Sequence, residues 1–167
     1  MSRATISVVV PAFDAAATLG DALFSILGQT LPPEEILVVD DGSTDGTAAL
    51  AASTPGVTLL RQERRGPAAA RTRGARAASG ELLAFLDADD LFLPEKLARQ
   101  SEALAAGPEL AGVFAQVRHE ALGAAAGERR FRSAPARLRR DLLARRDAFL
   151  ATGFRRDARD RRVRRLV

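Results

Sequence analysis

Three carboxylates fall within four residues in the stretch LAFLDADDLFLPEKL (83–97), where Asp87, Asp89 and Asp90 follow one apolar run and precede another. Carboxylates this close repel one another unless a cation or several donors compensate them. A second acidic pair, Asp40 and Asp41, closes the run EILVV and is followed by Gly42. Cysteine is absent and His119 is the single histidine, which excludes a thiolate or histidine-rich metal site. Any metal must then be held by oxygen. Mg2+ and Mn2+ accept one or two carboxylates and fill the shell with water and phosphate oxygens, which suits a reaction with a diphosphate leaving group.

The elements that would carry these groups alternate. ISVVVPAF (6–13) reads as a strand ended by Pro11, and Leu19, Leu23, Ile26 and Leu27 keep helical spacing up to Gly28. EILVVDDGS (35–43) reads as a second strand, followed by a short Ala-rich helix that Thr44 or Asp45 can cap. VTLLRQ (57–62), a loop and helix over 66–80, ELLAFLDADD (81–90), a helix over 94–107 begun by Pro94 and a strand over 110–119 complete the pattern. Residues 123–130 read as a loop. The alternation predicts an α/β fold with a mostly parallel sheet and helices on both faces. In such a sheet the ligand crevice lies beyond the carboxyl ends of the strands, where Pro11 to Asp14, Asp40 with Asp41, and Asp87 to Asp90 all fall.

The chain has 167 residues, 47% hydrophobic and 28% charged, enough for one buried core. Its net charge of +4 is unevenly placed: residues 1–110 carry 9 basic and 15 acidic side chains, residues 111–167 carry 16 and 6. The basic character therefore belongs to the C-terminal segment, and with no aromatic interleaving it does not point to nucleic acid. No stretch reads as a signal peptide or a membrane span, so the expectation is a cytoplasmic protein. RLRRDLLARRDAFL (137–150) has helical apolar spacing, consistent with a basic amphipathic helix that either packs on the sheet or rests on the cytoplasmic face of a membrane. The expected division is a core over 1–120 and an Arg-rich, partly helical segment over 121–167.

SVVVPAFDAAATLGDALFSILGQTLPPEEILVVDDGSTDGT (7–47) and ARTRGARAASGELLAFLDADDLFLPEKL (70–97) together resemble the N-terminal half of family 2 glycosyltransferases, an inverting group with the Rossmann-like GT-A fold. Four elements agree in order and spacing: PAFD, VVDDGSTD, R-x-R-G and DADD. The resemblance implies a nucleoside-diphosphate sugar as donor, UDP-sugar first, and Mn2+ or Mg2+ as cofactor. It implies that Pro11, Ala12 and Phe13 wall the nucleotide base, with Asp14 beside them at a position that commonly carries Asn. Asp41, next to Asp40, would accept a hydrogen bond from base or ribose, and Arg71 would lie near base and diphosphate. Asp87, Ala88 and Asp89 would form the D-x-D element, with Asp89 the direct metal ligand and Asp87 nearer the ribose.

Read without the resemblance, several of these residues have plainer explanations. Asp41 is also an ordinary turn residue before Gly42. Phe13 is equally suited to the core, Arg71, Arg73 and Arg76 to the wet face of a helix, and Asp90 to solvent or to capping the next helix. His119 is assigned no chemistry. The family draws its base and acceptor contacts from a later half, so the chain is expected to be truncated on that side; Asp157 and Asp160 are weak candidates for the base. Two alternatives to a transferase stand: a nucleotide-sugar-binding domain without turnover, and a receiver-like Mg2+-binding signalling domain. The second is disfavoured, because the acidic pair follows the second strand and the single lysine, Lys96, lies in a helix.

Overall fold

The computed structural model describes residues 4–114, 142–146 and 163–165. Among them run β1 (Ile6–Ala12), α1 (Leu19–Leu27), β2 (Glu35–Asp40), α2 (Thr47–Ser53), β3 (Val57–Arg61), α3 (Pro67–Ala77), β4 (Leu82–Phe85), α4 (Lys96–Ala106), β5 (Gly112–Phe114), β6 (Leu142–Arg145) and β7 (Val163–Arg165). The strands form one sheet in the order β3-β2-β1-β4-β6-β5-β7. β1 to β4 are mutually parallel where they pair, and β6 runs antiparallel to both β4 and β5. This is the mixed, mostly parallel α/β architecture that the alternation of patterns predicts.

β1 is buried along its whole length, and its side chains divide by parity. Val8 and Val10 join Leu19, Leu23 and Ile26 of α1 and Leu97 and Leu104 of α4 in one apolar cluster. Val9 points the other way, into a second cluster with Leu37, Val39, Phe85 and the alanines Ala70 and Ala75 of α3. Two-sided cover explains the continuous apolar runs of β1 and β2. α3 sits very close to the sheet: a Cβ added at Gly74 would lie 2.3 Å from Val9 Cγ1. A glycine is therefore needed there for contact, and α3, which carries Arg71, is fixed against the central strand.

Several expectations are corrected. The fourth strand stops at Phe85, and Asp87 to Asp90 form a turn closed by the Asp90 N–H donating to the Asp87 carbonyl at 3.0 Å. α4 starts two residues after Pro94, because the Pro94 carbonyl is taken by the Thr30 N–H at 2.9 Å. One early amide of α4 is instead served by Gln29, two residues after α1: its side-chain oxygen accepts from Leu97 N–H at 3.0 Å, and its amide nitrogen donates to the Ser25 and Leu93 carbonyls. Within the helix expected over 137–150, Leu142–Arg145 form a strand, and residues 137–141 and 147–150 lie outside the described residues. Leu143 and Ala144 are both buried, one in each apolar cluster, so adjacent apolar residues serve opposite faces of a covered strand. The fifth strand is seen at Gly112–Phe114; its expected continuation, the loop at 123–130, His119, Asp157 and Asp160 lie outside the described residues. Among the described residues no helix is long and apolar enough to cross a membrane.

Candidate functional site

Strand order alone places the candidate groups in a row, because β2, β1 and β4 are neighbours and their carboxyl ends form one rim. Asp41 follows β2, Phe13 and Asp14 follow β1, and the turn 87–90 follows β4. Backbone bonds tie the rim together: Asp41 N–H donates to the Ala12 carbonyl at 2.8 Å, and Leu86 N–H to the Val9 carbonyl at 3.1 Å. Pro11 and Ala12 are buried within β1, opposite Val39 and Asp40. Phe13 emerges half-buried, with the Arg64 guanidinium 3.8 Å from the centre of its ring. That cation–π contact makes a flat, positively charged surface beside the acidic rim.

Asp14, Asp40 and Asp41 are largely consumed by the fold. Asp14 takes a left-handed backbone (φ 44°), and its carboxylate accepts from Thr44 N–H at 2.8 Å, joining the loop after β1 to the loop after β2. Asp40 is fully buried; it accepts from Ser43 N–H at 3.1 Å and pairs with Arg61 Nε at 3.2 Å. Asp41 is also buried and accepts from the Gln62 side chain at 2.6 Å, Arg65 N–H at 2.8 Å and Gly66 N–H at 2.7 Å. Burial pushes the Asp41 carboxyl upward, yet these three bonds and the nearby Arg64 charge together hold it below its ordinary value of 3.8. It is thus an anion that organises the 62–66 loop. Gly42 makes the approach feasible: it has φ 79°, and a Cβ there would lie 3.0 Å from Arg64 N. Asp45 is held low as well, first by Thr47, with Ala16 N–H donating to its other oxygen at 3.0 Å.

The turn after β4 behaves differently. Oxygens from Asp87, Asp89 and Asp90 all lie within 4.8 Å of one another. Asp89 is exposed, Asp87 and Asp90 are half-buried, and Ala88 between them is buried. Arg71, one turn into α3, donates from Nη2 to Asp87 Oδ1; the two side chains are 21% and 17% exposed. Three hard oxygen donors this close, facing solvent, fit a divalent cation of the Mg2+ or Mn2+ type. Asp89 and Asp87 are together as the sequence predicts, and Asp90, assigned there to solvent or a cap, joins them. Arg64 and Gln62 were not singled out in the sequence; they sit in an irregular basic loop without periodicity or motif. Arg73 and Arg76 lie away from the acidic turn and help line an open groove of about 890 Å3 between β3 and α3.

With this geometry in place, comparison with known proteins gives a family. The profile described as glycosyl transferase family 2 matches residues 7–160. The chain belongs to glycosyl transferase family 2. Among curated relatives of this family 2 chain, the succinoglycan biosynthesis protein ExoO of Rhizobium meliloti is 43% identical over 110 residues, 64% of this chain and 32% of ExoO. The Escherichia coli protein named UDP-Glc:alpha-D-GlcNAc-diphosphoundecaprenol beta-1,3-glucosyltransferase WfgD is 38% identical over 98 residues, 57% of this chain and 39% of WfgD. The family 2 chain thus spans about a third of the length of these relatives. Among solved structures, S. aureus TarS 1–349 superposes with a TM-score of 0.67 at 21% identity, over 87% of this chain and 48% of that one, which supports the GT-A fold. The mannosyltransferase PcManGT of Pyrobaculum calidifontis, solved with GDP-Man and Mn2+, superposes with a TM-score of 0.63 at 33% identity, over 71% of this chain and 37% of that one.

Proposed function

We propose that this chain forms the donor-binding part of a metal-dependent, inverting glycosyltransferase that uses a nucleoside-diphosphate sugar, with a UDP-sugar as the first candidate. The observation that carries the reading is the convergence of Asp87, Asp89 and Asp90 within 4.8 Å at the rim of a family 2 chain, with Arg71 beside them. Asp89 is the leading ligand, being the most exposed of the three, with Asp87 and Asp90 close enough to complete a carboxylate set. A divalent cation held there supplies Lewis-acid stabilisation of charge developing on the departing diphosphate.

The remaining roles belong to the chain itself. Phe13, backed by the Arg64 guanidinium, offers a platform for a base. Asp41 acts indirectly, holding the loop that carries Arg64. Arg71 offers a cation to phosphate oxygens at the level of the carboxylates. Transfer forms a bond between the acceptor oxygen and the anomeric carbon, breaks the bond from that carbon to the diphosphate oxygen, and passes the acceptor proton to a base.

The test combines binding with turnover. UDP or GDP with Mn2+ should raise the calorimetric melting temperature, and Asp89→Ala should abolish the rise. The chain has neither Trp nor Tyr, so calorimetry is preferable to intrinsic fluorescence. An unchanged rise in the variant would remove Asp89 from the ligand set, and a protein that no nucleoside diphosphate stabilises would overturn the donor reading. Incubation with nucleotide-sugars, read by release of nucleoside diphosphate, separates a transferase from a domain that only binds.

A further inference from the structure

The Asp87 carboxylate carries two assignments at once. It belongs to the group of three within 4.8 Å, and it accepts a charged hydrogen bond from Arg71 Nη2. A guanidinium and a divalent cation repel each other when they share one carboxylate. Retreat of the whole arginine is closed off, because α3 is locked against β1 where Gly74 meets Val9, three residues from Arg71. Only the side chain can yield, and it is crowded, with 21% of its surface exposed against 17% for Asp87.

We propose that Arg71 is a built-in competitor for the divalent cation, so that the cation binds firmly only together with an anionic ligand that takes up the displaced guanidinium. The proposal rests on the metal-binding reading of residues 87–90 given above and adds to it the coupling between the two ligands. A protein with this device has little affinity for the free cation or for the free diphosphate, and favours the pair. By linkage, the factor by which diphosphate strengthens cation binding equals the factor by which the cation strengthens diphosphate binding.

The test measures Mn2+ binding directly, by loss of the free-ion electron paramagnetic resonance signal, with and without saturating UDP or GDP. Arg71→Met and Arg71→Gln remove the charge, and Arg71→Lys keeps it; thermal melts establish that each variant is folded. Removing the competing charge should tighten binding of Mn2+ alone by roughly tenfold. The same change should shrink the strengthening that UDP or GDP confers, while the Lys variant follows the wild type on Mn2+ alone. Neutral variants that bind Mn2+ alone no better than the wild type, in a protein that does bind Mn2+ with a nucleoside diphosphate, overturn the competitor role and leave the metal site standing. A wild type that takes no Mn2+ even with UDP or GDP overturns both.

Discussion

Replacing Asp41 with Asn tests whether this buried carboxylate is chiefly an organiser of the 62–66 loop. Asn preserves the shape but turns one acceptor oxygen into a donor. If its oxygen faces Gln62 and Arg65 N–H, its NH2 group meets Gly66 N–H, which now bonds to Asp41 at 2.7 Å. One donor is then left unsatisfied at a cost of about 1–3 kcal/mol, and two charge-assisted bonds become neutral ones at about 0.5–1 kcal/mol each. The expected loss is about 2–5 kcal/mol, a fall in melting temperature of about 5–15 °C for a chain of this size. Urea denaturation followed by circular dichroism would measure it. The pH dependence gives a second check. Because the folded Asp41 carboxyl is held below 3.8, its contribution is complete above that value and is lost as the pH falls through the lower folded value. The gap between wild type and variant should therefore narrow as the pH is lowered from about 7 towards 2. A loss under about 1 kcal/mol near neutrality, or one that does not change with pH, would refute the argument.

Gly74→Ala should destabilise the protein by about 1–3 kcal/mol despite the better helix propensity of Ala, because the new methyl would lie 2.3 Å from Val9 Cγ1; a neutral or raised melting temperature would contradict the close packing of α3 on β1. Gln29→Leu removes the side chain that accepts from Leu97 N–H and donates to the Leu93 carbonyl at 2.7 Å, and should cost about 1–3 kcal/mol. Faster amide exchange at Leu97 would localise the effect to the start of α4.

Much of this organisation was legible in the residues because it is local. Helix α1 falls where Leu19, Leu23 and Ile26 repeat and ends against Gly28, and β1, β2 and β4 are apolar runs covered on both faces. The grouping of Asp87, Asp89 and Asp90 was legible as well, since the three carboxylates are near neighbours in the chain. Features fixed by distant partners were not. Nothing within LLAR distinguishes a strand from a helical turn until β4 and β5 lie on either side of it. Asp40 and Asp41 look alike in the chain, and only the arrival of Arg61 at one and of the 62–66 amides at the other separates them. Gln29 reads as an unremarkable polar residue after a helix, and its work becomes visible only with α4 beside it.

The place of β6 bears on how the protein acquires its shape. β4 precedes the acidic turn directly, and along one side its ladder is completed by residues that emerge from the ribosome much later, with Leu82 opposite Arg145. Such a long-range closure is slow compared with forming the β1-α1-β2 unit, and until it occurs β4 presents an unpaired margin to other chains. Maturation of the rim thus waits on a later part of the chain: a nascent chain can collapse around β1 early, yet the strand leading to Asp87 is flanked on both sides only after residue 145 has been delivered.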